Sequence, residues 1–317
     1  MLTQIKPQFA RISALVGAIA WAIVLFIRTA DSYETELIDK LLLLGVLVVV
    51  PLGLSLVARP VTNGGHSLLY RLAVFAQPLG AAAVIASFFL QQGIKAALFA
   101  SAWLVVTSLV SLYGLWRLSV GRLRGIEEVS ISMGLIYLSI GAGWLVMSRL
   151  GFQPLGFGDT IVLLTAVHFH YAGFAAPILT GLSGRLLAHA SRVTRRLFVP
   201  AAIAVTIGTP LVAAGITASP LLALVGTLVI SLGLVLLAVL VCGWVVPALH
   251  SGPVRLLLVI SSAVSLISMA LASLYAYSIV TKTLIVDIPH MALSHGILNA
   301  FGFTLCGLLA WAIAQSE

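Results

Sequence analysis

The chain has 317 residues, of which 61% are hydrophobic and only 8% charged, and its mean hydropathy is +1.17. A soluble domain carries about 25% charged residues, so the composition excludes a water-soluble enzyme. It points to an all-α polytopic transmembrane helix bundle, a single integral membrane domain with the lipid bilayer as its solvent. The formal charge of +8 and the pI near 9.9 call for no nucleic-acid partner, because positively charged cytoplasmic loops account for them.

A spanning helix needs about 20 mainly apolar residues. Ten candidates follow in chain order: 12–27, 41–58, 69–90, 96–116, 129–148, 160–182, 197–217, 221–248, 254–281 and 289–314. Lys6 and Arg11 precede the first run, but ISALVGAIAWAIVLFI stays bulky to its end and reads as an uncleaved first span rather than a signal peptide. With the N-terminus inside, 12 of the Lys and Arg residues fall in inner segments (Lys6, Arg59, Arg122, Arg124 and Arg192 among them) and 5 in outer ones (Arg28, Lys40, Lys95, Arg149 and Lys282). That bias predicts the inner membrane with both termini cytoplasmic. The cluster RLLAHASRVTRR is placed against anionic lipid headgroups.

Between the first two spans, RTADSYETELIDK carries Asp31, Glu34, Glu36 and Asp39. It is the one acidic stretch, and its mixed charge reads as a solvated amphipathic connector. Gln77-Pro78 breaks the third span and is explained by packing. Cys242 and Cys306 lie in apolar runs and suggest no disulfide framework.

The sixth span contains HFHYAGF, residues 168–174, and places two imidazoles in a hydrocarbon slab. His168 lies about 13 Å in from Asp159 at 1.5 Å per residue. The tenth span adds His290 at its mouth and His295 deeper. Intramembrane ionisable groups mark functional sites by default. In an α-helix His168 and His170 are about 200° apart, so they cannot chelate one ion together, whereas His295 and Asn299, four apart, share a face. Tyr171 follows His168 by three and reads as a proton donor on its face. Pro177 cannot donate to the carbonyl of Gly173, so a kink is expected just beyond the histidines. His66, His189 and His250 fall in inner loops. Walker, Rossmann, GxSxG and HExxH motifs are absent, as is an Asp-rich diphosphate motif.

HFHY at 168–171 resembles a segment of haem–copper oxidase subunit I, in which two histidines one residue apart bind haems on opposite faces of a helix. The likeness is local: the adjacent His-His pair and the His-Pro-Glu-x-Tyr stretch of that family's copper centre are missing. HFHYAGFAAPILTGL at 168–182 and HMALSHGILNAFGFTLCGLLAW at 290–311 together resemble the YndJ-like family of bacterial membrane proteins. On that resemblance His168, His170, His295 and Asn299 are the motif positions. The family's frequent label of putative transporter carries no established substrate.

Three functions are open. The first is a membrane-embedded enzyme acting on a lipophilic substrate, with His168, His170, His295, Tyr171 and Asn299 as its working groups. It would use haem or a transition metal on His168, His170, His290 and His295, or metal-free acid–base cyclisation or isomerisation. The second is a proton-coupled small-molecule transporter, with His168, His170 and His295 as a proton or substrate relay near the midplane, Asp159 and Asp287 guarding its outer entrance and, as its weakness, no deep carboxylate. The third is a membrane scaffold or complex subunit.

Overall fold

The computed structural model describes residues 7–30, 32–58, 67–119, 125–188 and 190–316. Lys6, Asp31, Arg59, His66, Arg122, Arg124 and His189 lie outside them. Ten helices follow in chain order: α1 (Pro7–Val24), α2 (Tyr33–Val57), α3 (Leu68–Phe88), α4 (Ile94–Ser119), α5 (Ile126–Leu150), α6 (Asp159–Leu187), α7 (Arg192–Ala218), α8 (Pro220–Ala248), α9 (Gly252–Thr281) and α10 (Ile288–Ala314). No strand occurs among the described residues. A lipid-immersed chain must satisfy its backbone internally, and helices do so within each segment. The nine helices from α2 to α10 are long and apolar enough to cross a bilayer, and α1 is shorter. Ile12, Leu15, Ile19 and Ile23 stand exposed along α1 as an apolar stripe.

The chain forms two compact units. The first holds residues 1–121 and 134–175, and the second holds 122–133 and 176–317. In the first unit α1 packs on α2 and α3 packs on α4. Gly17 of α1 sits so close to α2 that a Cβ there would collide with the Leu47 carbonyl oxygen. In the second unit α7 and α8 form a close pair, α8 packs on α9, and α9 packs on α10.

The acidic connector is the main departure from the sequence reading. α2 begins at Tyr33, with Ser32 as its N-cap accepting from the Thr35 N–H, and all seven residues from Ile38 to Leu44 are buried. Asp39 is 2% exposed and Lys40 6%. Only the stretch before Ser32 is a connector. ELIDKLLLL continues the helical period of the apolar run behind it, and the Glu36–Lys40 pair at i,i+4 (3.3 Å) supports the same helix.

Prolines set a second feature. Three helices widen into π-helix shortly before a proline: Gly45–Val49 before Pro51, Phe169–Ala175 before Pro177, and Val241–Val245 before Pro247. A proline ring crowds the carbonyl four residues back, which lies inside the widened turn each time. At Pro177 the expected kink is therefore taken up as a π segment. In α2 the missing N–H of Pro51 would have met the Val46 carbonyl in the π register. Gln77 Nε2 of α3 donates to that carbonyl at 3.1 Å, so Gln77 does more than pack. α10 widens too, over Ala292–Gly296 and Leu298–Leu305, with no proline following.

Candidate functional site

The buried cations of the first unit have a common task. Lys40 Nζ donates to the Val24 carbonyl at 2.7 Å and to that of Ile27, closing the C-terminal end of α1. Trp21 Nε1 donates back to the Lys40 carbonyl at 2.8 Å. Arg149 Nη2 donates to the carbonyls of Ser87 (3.0 Å) and Leu90 (2.8 Å) at the end of α3, with the guanidinium 4.8 Å from the Phe88 ring centroid. Arg117 Nη1 donates to the Val57 carbonyl at 3.0 Å and closes α2. The last carbonyls of a helix have no intrahelical partner and carry the negative end of its dipole, so a buried cation is stable there.

Asp39 is the exception among these buried charges. It lies against the Thr29 hydroxyl and in the field of Arg149, Lys40 and Glu36. Neither cation forms a direct ion pair with it; Lys40 pairs with Glu36 instead. Arg149 Nε is buried without a hydrogen-bond partner. One end of the first unit thus holds a buried carboxylate and a buried guanidinium that do not touch. Asp39 is thus a buried carboxylate in the second turn of α2, beside the C-terminal end of α1.

The histidines are placed differently from one another. His170 is fully buried. Its Nδ1 lies 2.8 Å from the Ala166 carbonyl and its Nε2 lies 3.0 Å from Trp103 Nε1. A carbonyl only accepts and an indole N–H only donates, so the ring is neutral, protonated at Nδ1, with its remaining lone pair taken by Trp103. His168 is exposed, and its Nδ1 donates to the Leu164 carbonyl at 2.7 Å. Tyr171 is buried and donates to the Leu41 carbonyl of α2 at 2.8 Å, so the expected pairing with His168 is replaced by an interhelical bond. A Cβ at Gly45 would come within 3.3 Å of His170 Cβ and 3.5 Å of the Tyr171 ring; glycine lets α2 reach the π segment of α6.

In the second unit His295 Nδ1 donates to the Ser268 carbonyl at 2.9 Å, and its Nε2 lies 3.1 Å from Asn299 Nδ2. Asn299 Nδ2 also reaches the His295 carbonyl at 3.0 Å and Ser268 Oγ. Asn299 and His295 are therefore brought together, and Ser268, fully buried, is the third member. The regular spacing of Ser261, Ser265 and Ser268 on one face of α9 was the available signal for it. His290 is exposed and paired with Asp287 at 2.6 Å. Asp287 caps α10 by accepting the His290 N–H at 2.9 Å. That N–H, and then the His290 ring, hold the Asp287 carboxyl below the usual carboxylate range. Asp159 lies exposed in the first turn of α6 and accepts from Gln153 Nε2 at 3.1 Å.

Among the described residues no three His, Cys, Asp or Glu side chains converge to hold a metal ion. His170 has no lone pair left for iron or copper unless Trp103 is displaced, so the pair HFH does not fit a bis-histidine haem site. In the second unit a crevice of about 20 Å³ is lined by Ser183, Ser261, Ser262, Ser265, Phe303 and Trp311, among others. That is room for about one water. Glu128, 3% exposed, accepts from Arg185 Nε at 2.9 Å and ties the start of α5 to the end of α6.

The family model of YndJ-like proteins matches residues 40–303. "Uncharacterized membrane protein YndJ" of Bacillus subtilis (strain 168) is 34% identical over 219 residues, which are 69% of this chain and 39% of that protein. The match thus spans about two fifths of the relative's length. No solved structure matches the chain. Helices of bilayer length, the HFHYAGF and HMALSHGILNAF segments, and these two matches lead to one conclusion: the chain belongs to the YndJ-like family of polytopic membrane proteins.

Proposed function

We propose that the protein is a membrane carrier that couples movement of a small molecule to a proton held by Asp39. The observation that carries this reading is a carboxylate 2% exposed in the second turn of α2. Intramembrane ionisable groups mark ion and proton paths, and π segments in α2 and α6 are the kind of irregular backbone found at functional sites. Asp39 supplies the proton site; Lys40 and Arg149 hold the helix ends around it. The test uses proteoliposomes with a trapped pH dye, an imposed pH gradient, and pools of organic acids, amines and sugars added outside. At least one pool should speed collapse of the gradient with the wild-type protein and have no effect with Asp39→Asn. Equal rates in the two proteins sink the reading.

One observation favours a second reading, a histidine-dependent enzyme on a lipophilic substrate: His168 presents its ring at the helix surface inside a span. On this reading the other deep histidines, His170 and His295, are structural, and no metal is required. The His168→Ala variant should then stop turnover of a lipophilic compound in membranes without loss of folded protein. Normal turnover in that variant removes His168 from consideration.

A further inference from the structure

Gly307 leaves a gap where α10 meets α6 and α9. A Cβ there would come within 2.9 Å of Leu179 Cδ1 and 3.0 Å of Ser261 Oγ. Trp311 follows Gly307 by one turn of the helix, so the two share a face of α10. A helical side chain leans back over the turn before it, which brings the indole over the level of the glycine. The indole lines the crevice of about 20 Å³ together with Ser183, Ser261, Ser262 and Ser265. Every residue of that lining belongs to the second unit. Trp311 is 6% exposed, and its Nε1 is buried without a hydrogen-bond partner.

The polar groups of the crevice select what can bind there. Three of the serine hydroxyls donate to carbonyls: Ser183 to Leu179 at 2.9 Å, Ser261 to Phe303 at 2.7 Å and Ser265 to Ser262 at 2.8 Å. Their oxygens can still accept, whereas the Trp311 N–H can only donate. A ligand that suits both must accept one hydrogen bond and donate others. No charged side chain lines the crevice, so an ion would be buried there without a counter-charge. An apolar guest would leave the indole N–H bare. Water needs about 10–15 Å³ and two to four polar partners, and the crevice meets both conditions.

We propose that this crevice is a binding site for one water molecule, which accepts from Trp311 Nε1–H and donates to the serine oxygens of α9, Ser261 first among them. The water ties α10 to α9 where a glycine holds their side chains apart. The site does not involve Asp39 and stands whether or not the protein is a carrier. Ser265 and Ser268 continue the face of Ser261 along α9, and Ser268 Oγ lies 3.0 Å from His295 Nδ1. The water thus stands at one end of a row of polar groups that has the His295–Ser268–Asn299 cluster at its other end.

Rotating-frame NMR with selective excitation of water, on deuterated full-length protein carrying 15N-labelled tryptophan in detergent, tests the site. Trp311→Phe identifies the Trp311 indole signal among those of the six tryptophans. In the wild-type protein that N–H should show a dipolar cross-peak to water, opposite in sign to chemical exchange. The Trp103 N–H, bonded to the buried His170 ring, should show none and serves as the control. Gly307→Ala sets a methyl group against Ser261 Oγ and Leu179, and the Trp311 cross-peak should be lost. If that variant fails to fold, Ser262→Val fills the crevice from α9 and should have the same effect. The proposal is overturned by a folded wild-type protein whose Trp311 N–H shows no dipolar contact with water, or by contact with detergent acyl protons in its place. A water cross-peak that survives unchanged in a folded crevice-filling variant overturns it too.

Discussion

Replacing His170 by alanine is expected to destabilise the folded protein by about 3 kcal/mol, from an unsatisfied Trp103 N–H together with the cavity left by the ring. The ring is fully buried, both its nitrogens are bonded, and it joins the π segment of α6 to α4. Its neighbour two residues earlier gives the contrast. His168 is exposed, so His168→Ala should cost less than about 1 kcal/mol. Thermal unfolding in detergent, with tryptophan emission as the signal, checks both variants. Trp103→Phe in each background completes a double-mutant cycle, and the Trp103–His170 pair should show a coupling of about 1 kcal/mol. A stable His170→Ala protein with unchanged Trp103 emission would mean that the bond is not made. If His170→Ala is folded at normal stability but inactive, the ring has a chemical role that its two hydrogen bonds do not express.

The other large effect is expected at Lys40. Lys40→Met keeps the length of the side chain and removes its charge. It leaves the Val24 and Ile27 carbonyls without their donor, deprives Glu36 of its ion pair, and leaves Asp39 with Arg149 as its remaining cationic neighbour. Removing one member of a buried charge group costs about 3–5 kcal/mol, because its partners stay buried and uncompensated. The loss should be local first: α1 is held to α2 by Lys40, by the Trp21–Lys40 bond and by the close contact at Gly17. Hydrogen–deuterium exchange over residues 7–30 should therefore accelerate before the rest of the chain responds. Unchanged protection there, with normal stability, would remove Lys40 as the cap of α1.

A low charge content and long apolar runs were enough to predict the membrane setting and the helices, because the bilayer tolerates few alternatives to an α-helix. The run boundaries were less legible at Asp39-Lys40. Two charges directly before the apolar run 41–58 look like the edge of a span when their partners are unknown. Those partners, the Val24 and Ile27 carbonyls, Thr29 and Arg149, come from other parts of the chain, and only packing brings them in. The Glu36–Lys40 spacing was the one local sign that the helix began earlier.

Two imidazoles near the middle of a span were likewise visible in HFHYAGF, and the pairing of His295 with Asn299 follows from their i,i+4 spacing. What each histidine does was decided elsewhere. Trp103 lies 67 positions from His170 and Ser268 lies 27 from His295, and these contacts fix the proton on Nδ1 and occupy the other nitrogen of His170. By itself the sequence determined the solvent of this protein, its helical class and the histidines that lie within its spans. The tertiary structure decided which polar residues are satisfied and which are not. In a medium without water, a polar group finds its partner on another helix or goes without one, and sequence spacing cannot say which helix that will be.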